Sequence, residues 1–212
     1  EIARDAALQT AARVNLPELM RQPGYAGLQH YWMTPWFDRV RFGRWAEIVE
    51  QPNPAPDLPY VTAIWHYAQA MADVRQSRLE SASRHHQALA RIAADPHMEQ
   101  LTVWDRYSLA SAVRIAERTV AAELALARND HEAAIAALRE AVTIEDGIPY
   151  DEPPGWHSPV RQTLGAVLLA ANRPAEAEVV YRDELRRNPD NGWSLRGLSD
   201  SLAAQKRGDE AR

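Results

Sequence analysis

Cysteine is absent from the 212-residue sequence, which excludes disulfide bonds, cysteine-ligated zinc and thiol catalysis. The nine glycines are scattered singly, so the sequence contains neither a glycine-rich phosphate-binding loop nor a Gly-x-Ser-x-Gly nucleophile elbow. No apolar run approaches the roughly 20 residues that cross a bilayer. These absences remove the common enzyme motifs and predict a chain without a membrane span.

Positive charge is also scarce. The chain has 24 Lys and Arg residues against 29 Asp and Glu residues, a formal net charge of −5, and the two signs are interspersed. Proteins that bind nucleic acid or anionic membranes instead cluster their cations on one face. We therefore expect neither kind of partner, and a soluble protein of either the cytoplasm or the periplasm.

The residues that are abundant favour helices. Hydrophobic residues make up 46% of the chain, and alanine dominates them, which together with Glu, Arg and Leu predicts an all-α fold. Two proline-rich stretches, residues 51–59 and 149–159, are predicted loops because proline disrupts helices. Residues 97–146 contain neither glycine nor proline. They are predicted to be almost entirely helical, with a long helix over 97–121 and one break near Asn129.

Small residues recur at a fixed spacing in the last third of the chain. Counting from Gly165, the residues Ala177, Tyr181, Leu185 and Pro189 follow at offsets of 12, 16, 20 and 24. A small residue on each of two adjacent helices lets their backbones approach, and the larger residue fills the gap beside them. The same 12-residue spacing occurs at three further places: Ala70 and Ala82, Ala122 and Ala134, and Ser199 and Ala211.

Residues 165–189 resemble a tetratricopeptide repeat, a family whose period is roughly 34 residues. The distance from Gly165 to Ser199 is also 34 residues. The resemblance implies a right-handed α-solenoid of antiparallel helix hairpins that forms one domain. Because the chain begins and stops within such units, we expect it to be a segment of a longer, bacterial-type protein of this family. The expected units are degenerate hairpins over 1–60, repeats over about 61–96, 97–146 and 157–190, and a partial repeat over 191–212, within a single domain 1–212.

The resemblance also implies a function. Proteins of this kind bind peptides or protein surfaces in a concave groove lined by the first helix of each pair. We therefore expect an interaction scaffold and not an enzyme, with no cofactor or metal, and with self-association through the exposed ends of the stack. The partner protein or peptide is left open. We call the alignment of the chain on these repeat spacings the repeat frame. The residues that it places in the groove are Tyr67, Met71, Thr119, Glu123, Gln162, Trp193 and Arg196.

The stretch 147–157 is unusually long for a connection between stacked helices. One interpretation is a ligand-binding or metal-binding edge formed by Asp151, Glu152 and His157. It accompanies an alternative function, a regulatory or ligand- or metal-sensing module attached to a further domain. The other interpretation, which we favour, is that Tyr150 and Trp156 fold back as hydrophobic plugs and the prolines stiffen the loop.

Three histidines have a simpler explanation than metal binding. His85 and His86 are adjacent, and neighbours on a helix diverge by about 100°, so their imidazoles do not readily share one ion. His66 is expected to lie between two helices. Packing is therefore the favoured role for all three.

Overall fold

The computed structural model of the chain describes residues 1–22, 24–49, 51–207 and 209. These residues are predominantly helical, with a single pair of very short strands. None of the described helices combines the length and the apolar character needed to cross a membrane. In chain order the helices are α1 (Ile2–Arg13), α2 (Pro17–Met20), α3 (Gly27–Trp32), α4 (Thr34–Arg41), α5 (Trp45–Val49), α6 (Pro59–Arg75), α7 (Leu79–Ala93), α8 (Leu109–Ala127), α9 (His131–Asp146), α10 (Val160–Ala170), α11 (Pro174–Arg187) and α12 (Gly192–Ala204).

The longer helices begin at residues suited to that position. Ser108, Asp130 and Asn191 precede α8, α9 and α12, and the side chain of each accepts a hydrogen bond from an amide of the first turn. Pro59 and Pro174 stand in the first turns of α6 and α11, where the missing amide hydrogen costs nothing. Local sequence therefore defines where these helices start.

Three short turns connect α6 to α7, α8 to α9 and α10 to α11 with one repeated geometry. At each turn a single residue adopts the left-handed conformation, with φ of 59° at Ser77, 60° at Asn129 and 57° at Asn172. The next amide then bonds to the carbonyl five residues earlier, as from Arg173 to Leu168 at 2.8 Å. This arrangement satisfies the last carbonyls of a helix. The turn at Asn129 lies where the sequence predicts a break.

Each helix from α6 to α11 packs against the next one in the chain. In addition, α6 contacts α8, and α10 contacts α12. The predicted small residues lie at these contacts, since Ala82, Ala134 and Ala177 are completely buried. Ala211, the predicted partner of Ser199, lies outside the described residues.

Close approach is tightest around Tyr181 of α11. Its ring lies against Gly165 of α10 and Gly197 of α12, leaving no room for a side chain at either glycine. The phenol oxygen reaches the carbonyl of Gln162 at 3.4 Å. The spacing of Gly165, Ala177 and Tyr181 thus corresponds to direct packing between α10 and α11.

The prediction that residues 97–146 are almost entirely helical is wrong over its first part. A 3₁₀ helix (Pro96–Gln100) precedes two antiparallel strands, β1 (Thr102–Val103) and β2 (Tyr107–Ser108), and α8 starts only afterwards. Trp104 and Asp105 make the strand turn with φ of 50° and 56°. A tight turn of this kind usually uses glycine or asparagine, so the absence of glycine and proline concealed it.

Candidate functional site

The structure brings six of the seven predicted groove residues around one cavity of about 430 Å³. Arg196 is not among the residues that line it. This side chain is largely exposed and forms an ion pair with Asp200, one turn later on α12, at 3.0 Å. We call this cavity the groove cavity. The predicted residues among those that line it are Tyr67, Met71, Thr119, Glu123, Gln162 and Trp193.

Helices α6 and α8 form one side of the groove cavity. Tyr67, Met71 and Arg75 come from α6, and the Arg75 guanidinium donates to Glu123 Oε1 of α8 at 2.7 Å. Glu123 is only 4% exposed, and its second oxygen, Oε2, has no hydrogen-bond partner among the described residues. Burial raises the pKa of Tyr67, and the nearby Glu123 carboxylate adds to the shift. Tyr67 is therefore a neutral hydrogen-bonding group there.

The other side combines α4, α10 and α12. Arg41 Nη1, at the end of α4, donates to Ser158 Oγ at 2.5 Å and to Gln162 Oε1 at 2.9 Å. The Gln162 amide nitrogen in turn donates to Asn191 Oδ1 at 3.0 Å. The guanidinium carbon lies 4.1 Å from the ring centre of Trp193, a cation–π distance. Arg41 thus connects three helices at the cavity wall.

Trp156 and His157 close the groove cavity from the loop between α9 and α10. They also line a second cavity, of about 770 Å³, which lies under α1 and the 147–157 loop. The His157 ring stacks on Phe37 with centroids 4.6 Å apart, and its Nε2 lies 3.2 Å from the Tyr67 hydroxyl. Burial, with Arg41 nearby, lowers the pKa of His157 to about 3. These two uncharged side chains separate the cavities, together with Arg41, which lines both.

The remaining loop residues behave differently from one another. Trp156 is 5% exposed and packs on Tyr67 and Phe37, as the plug interpretation predicts. Tyr150 is 78% exposed, so that interpretation is wrong for Tyr150. The Asp151 carboxylate receives a hydrogen bond from Arg106 at 3.0 Å, and the exposed Glu152 is hydrogen-bonded by Tyr150.

No group of three or more His, Cys, Asp or Glu side chains within the described ranges is arranged to hold a metal ion. His66 lies between α6 and α7, as expected, with its Nδ1 2.8 Å from Nδ1 of His85. The neighbouring His86 turns to Glu117 at 2.7 Å instead. The adjacent histidines therefore have separate partners.

Sequence reasoning missed Arg41, Ser158 and Arg75. The repeat frame selects positions on the first helices of the pairs, whereas Arg41 belongs to the irregular start of the chain and Ser158 to the loop. Arg75 follows Tyr67 and Met71 on α6 at intervals of four residues, a helical spacing that places all three on one face. Extending the frame by one turn would have found Arg75 alone.

No family model, no curated protein and no solved structure matches this chain.

Proposed function

We propose that the chain is a protein–protein interaction scaffold that binds a peptide or an extended protein segment in the groove cavity. In this proposal it is a right-handed α-solenoid of antiparallel hairpins similar to tetratricopeptide repeats. The observation that carries it is the convergence of side chains from α6, α8, α10 and α12 on one cavity. In such an array, the first helices of successive pairs line the inner surface.

Three features of the packing support that arrangement. The repeated left-handed turns make equivalent pairs of α6 with α7, α8 with α9 and α10 with α11. The additional contacts of α6 with α8 and of α10 with α12 are those expected between first helices. The Tyr181 ring between Gly165 and Gly197 joins one pair to the next.

The groove cavity offers both apolar and polar contacts to the side chains of a bound segment. Trp193 is 59% exposed and offers an apolar face, while Tyr67, Thr119 and Gln162 provide polar groups. Exposed aromatic residues beside a concave site are common anchors for peptides. A volume of about 430 Å³ accommodates side chains and not a folded domain.

A comparison of two exposed tryptophans tests the proposal. Peptides would first be selected from a random display library with the wild-type chain, and their affinities measured by isothermal titration calorimetry. We expect W193A to weaken binding by about tenfold or more, because an aromatic anchor is lost. W104A, on the strand turn, is the matched control and should bind normally, because Trp104 is 48% exposed and does not line the cavity. If W193A and W104A bind the peptides with equal affinity, the groove cavity is not the binding site.

A second candidate function, a ligand-sensing module, is favoured by the second cavity. Its volume of about 770 Å³ lies within the usual range of small-molecule sites. Ala6 of α1 lines this cavity and has an exposed side chain, so A6W narrows the space with little effect on the core. A compound that raises the melting temperature of the wild type but not of A6W would support this function. Equal stabilisation of both proteins would count against it.

A further inference from the structure

Building on the proposed peptide-binding function, we infer that the groove cavity selects internal peptide segments carrying an Asp or Glu side chain, and that Arg41 binds this carboxylate.

The first step is the charge of the groove cavity. The residues that line it include two guanidinium groups, Arg41 and Arg75, and one carboxylate, Glu123. With His157 neutral, this leaves a net charge of +1 in a chain whose formal charge is −5. The cavity is thus a locally positive site on an acidic protein, and positive concave sites attract anionic groups.

The second step separates the two arginines. Arg75 is paired with Glu123 at 2.7 Å. Arg41 has no carboxylate within salt-bridge distance among the described residues, and the partners of its Nη1 are the neutral oxygens of Ser158 and Gln162. Its partial burial lowers its pKa, as expected for a cation removed from water without an anion nearby. Arg41 therefore carries the uncompensated charge.

The third step concerns the geometry of Arg41. The two bonds from Nη1 and the stacking on Trp193 hold the guanidinium in one orientation. No described protein atom accepts a hydrogen bond from its Nε or Nη2, and these two groups form the edge that a carboxylate binds with paired hydrogen bonds. Fixing the side chain before binding reduces the entropy lost on association. Arg41 is therefore preorganised for a planar anion.

The fourth step explains why the ligand is a peptide segment and not a simple anion. Glu123 lines the same cavity, and its Oε2 has no hydrogen-bond donor among the described residues. An acceptor without a donor favours a ligand that supplies an N–H. A small ionised carboxylate supplies no hydrogen-bond donor. An internal segment provides an amide N–H at almost every residue beside its acidic side chain, so it complements both Arg41 and Glu123.

The test uses random peptides displayed on phage by fusion through their C-termini, so that no peptide has a free terminal carboxylate. We expect wild-type selection to enrich peptides that share one Asp or Glu. In synthetic peptides with amidated C-termini, replacing that acid with Asn or Gln should weaken binding by about tenfold or more. R41Q should weaken the acidic peptide equally, and the acid replacement should then have no further effect on R41Q. R196Q, whose arginine is outside the cavity, is the matched control and should behave like the wild type.

R41K is a control for a folding defect in R41Q, because lysine retains the positive charge and is long enough to reach the cavity wall. Circular dichroism melting curves would be recorded for every variant, and R41K should retain the acid preference with weaker binding. Selected peptides without a shared acid, or peptides that bind R41Q and wild type equally, would overturn the role of Arg41 while leaving the groove intact. A second library with free C-termini would overturn the choice of an internal side chain if acids were enriched only as terminal carboxylates. If neither library yields a binding peptide, the proposed function fails and the inference with it.

Discussion

The ring of Tyr181 occupies the space that a side chain at either facing glycine would need. A Cβ atom built at Gly165 would lie 2.4 Å from Cζ of this ring, and one built at Gly197 would lie 2.1 Å away. We expect G165A to lower the free energy of unfolding by about 1–3 kcal/mol, the usual effect of overpacking. Urea unfolding followed by circular dichroism measures it. G192A is the matched control, since a Cβ atom there would meet no atom within 4 Å beyond the adjacent residues and the backbone of its own helix. Equal losses for G165A and G192A would contradict the packing.

Residue-scale prediction succeeded where a side chain has a role within the repeat frame. Gly165 and Tyr181 were found because small and large residues at a fixed spacing have one natural explanation, contact between adjacent helices. Arg41 was not found, because its role depends on three helices meeting far apart in the sequence. Arg196 lies one turn from Trp193 on α12, but it does not line the cavity and pairs with Asp200 of its own helix.

At the scale of elements, Trp156 is the buried hydrophobic core residue of the loop between α9 and α10. W156A should lower the free energy of unfolding by about 3–5 kcal/mol, because it removes a buried aromatic packed on Phe37 and Tyr67. Y150A changes an aromatic of the same loop that is mostly exposed, and it should cost less than about 0.5 kcal/mol. Chemical denaturation of both variants tests the difference, and similar losses would show that Trp156 does not anchor the loop.

Helix boundaries could be predicted where capping residues or prolines mark them, as at Asp130 and Pro174. The start of α8 was missed although Ser108 caps it, because residues 97–108 contain no glycine or proline to mark the preceding segment as non-helical. Val103 of β1 is completely buried and contacts α3. This tertiary contact stabilises the extended backbone of the two strands. Such contacts are not visible in a local pattern. The number of helices before residue 59 was likewise unpredictable, since no regular spacing governs them.

For the whole molecule, stability should depend on pH through Glu145. Its carboxylate accepts a hydrogen bond from the Val160 amide at 3.1 Å, and burial raises its pKa to about 7, against about 4.3 in an unfolded chain. Because the folded state holds this proton more tightly, the associated stability is fully present below the unfolded value and is lost as the pH rises through 7. E145Q removes this dependence. The free energy of unfolding of E145Q minus that of wild type should therefore increase by roughly 1–2 kcal/mol between pH 5 and pH 8, a range reduced for the partial exposure of Glu145.

Urea titrations at several pH values measure this difference, and a constant offset between E145Q and wild type would contradict it.

Self-association through the ends of the helix stack stays a prediction at the same scale. Leu195 of α12 is 47% exposed and provides an apolar surface for it. L195E should reduce any concentration-dependent increase in sedimentation coefficient. A wild type that remains monomeric at high concentration would contradict the prediction of self-association.

The partition formed by Trp156 and His157 has one thermodynamic consequence. Trp156 and His157 line both cavities, and Arg41 lines both as well, so an occupant that shifts these side chains changes the free energy of occupancy on the other side. Linkage then requires reciprocity: a compound that alters peptide affinity by some factor must have its own affinity altered by the same factor. If the two rings stay fixed, that factor is one, and the cavities act as independent sites.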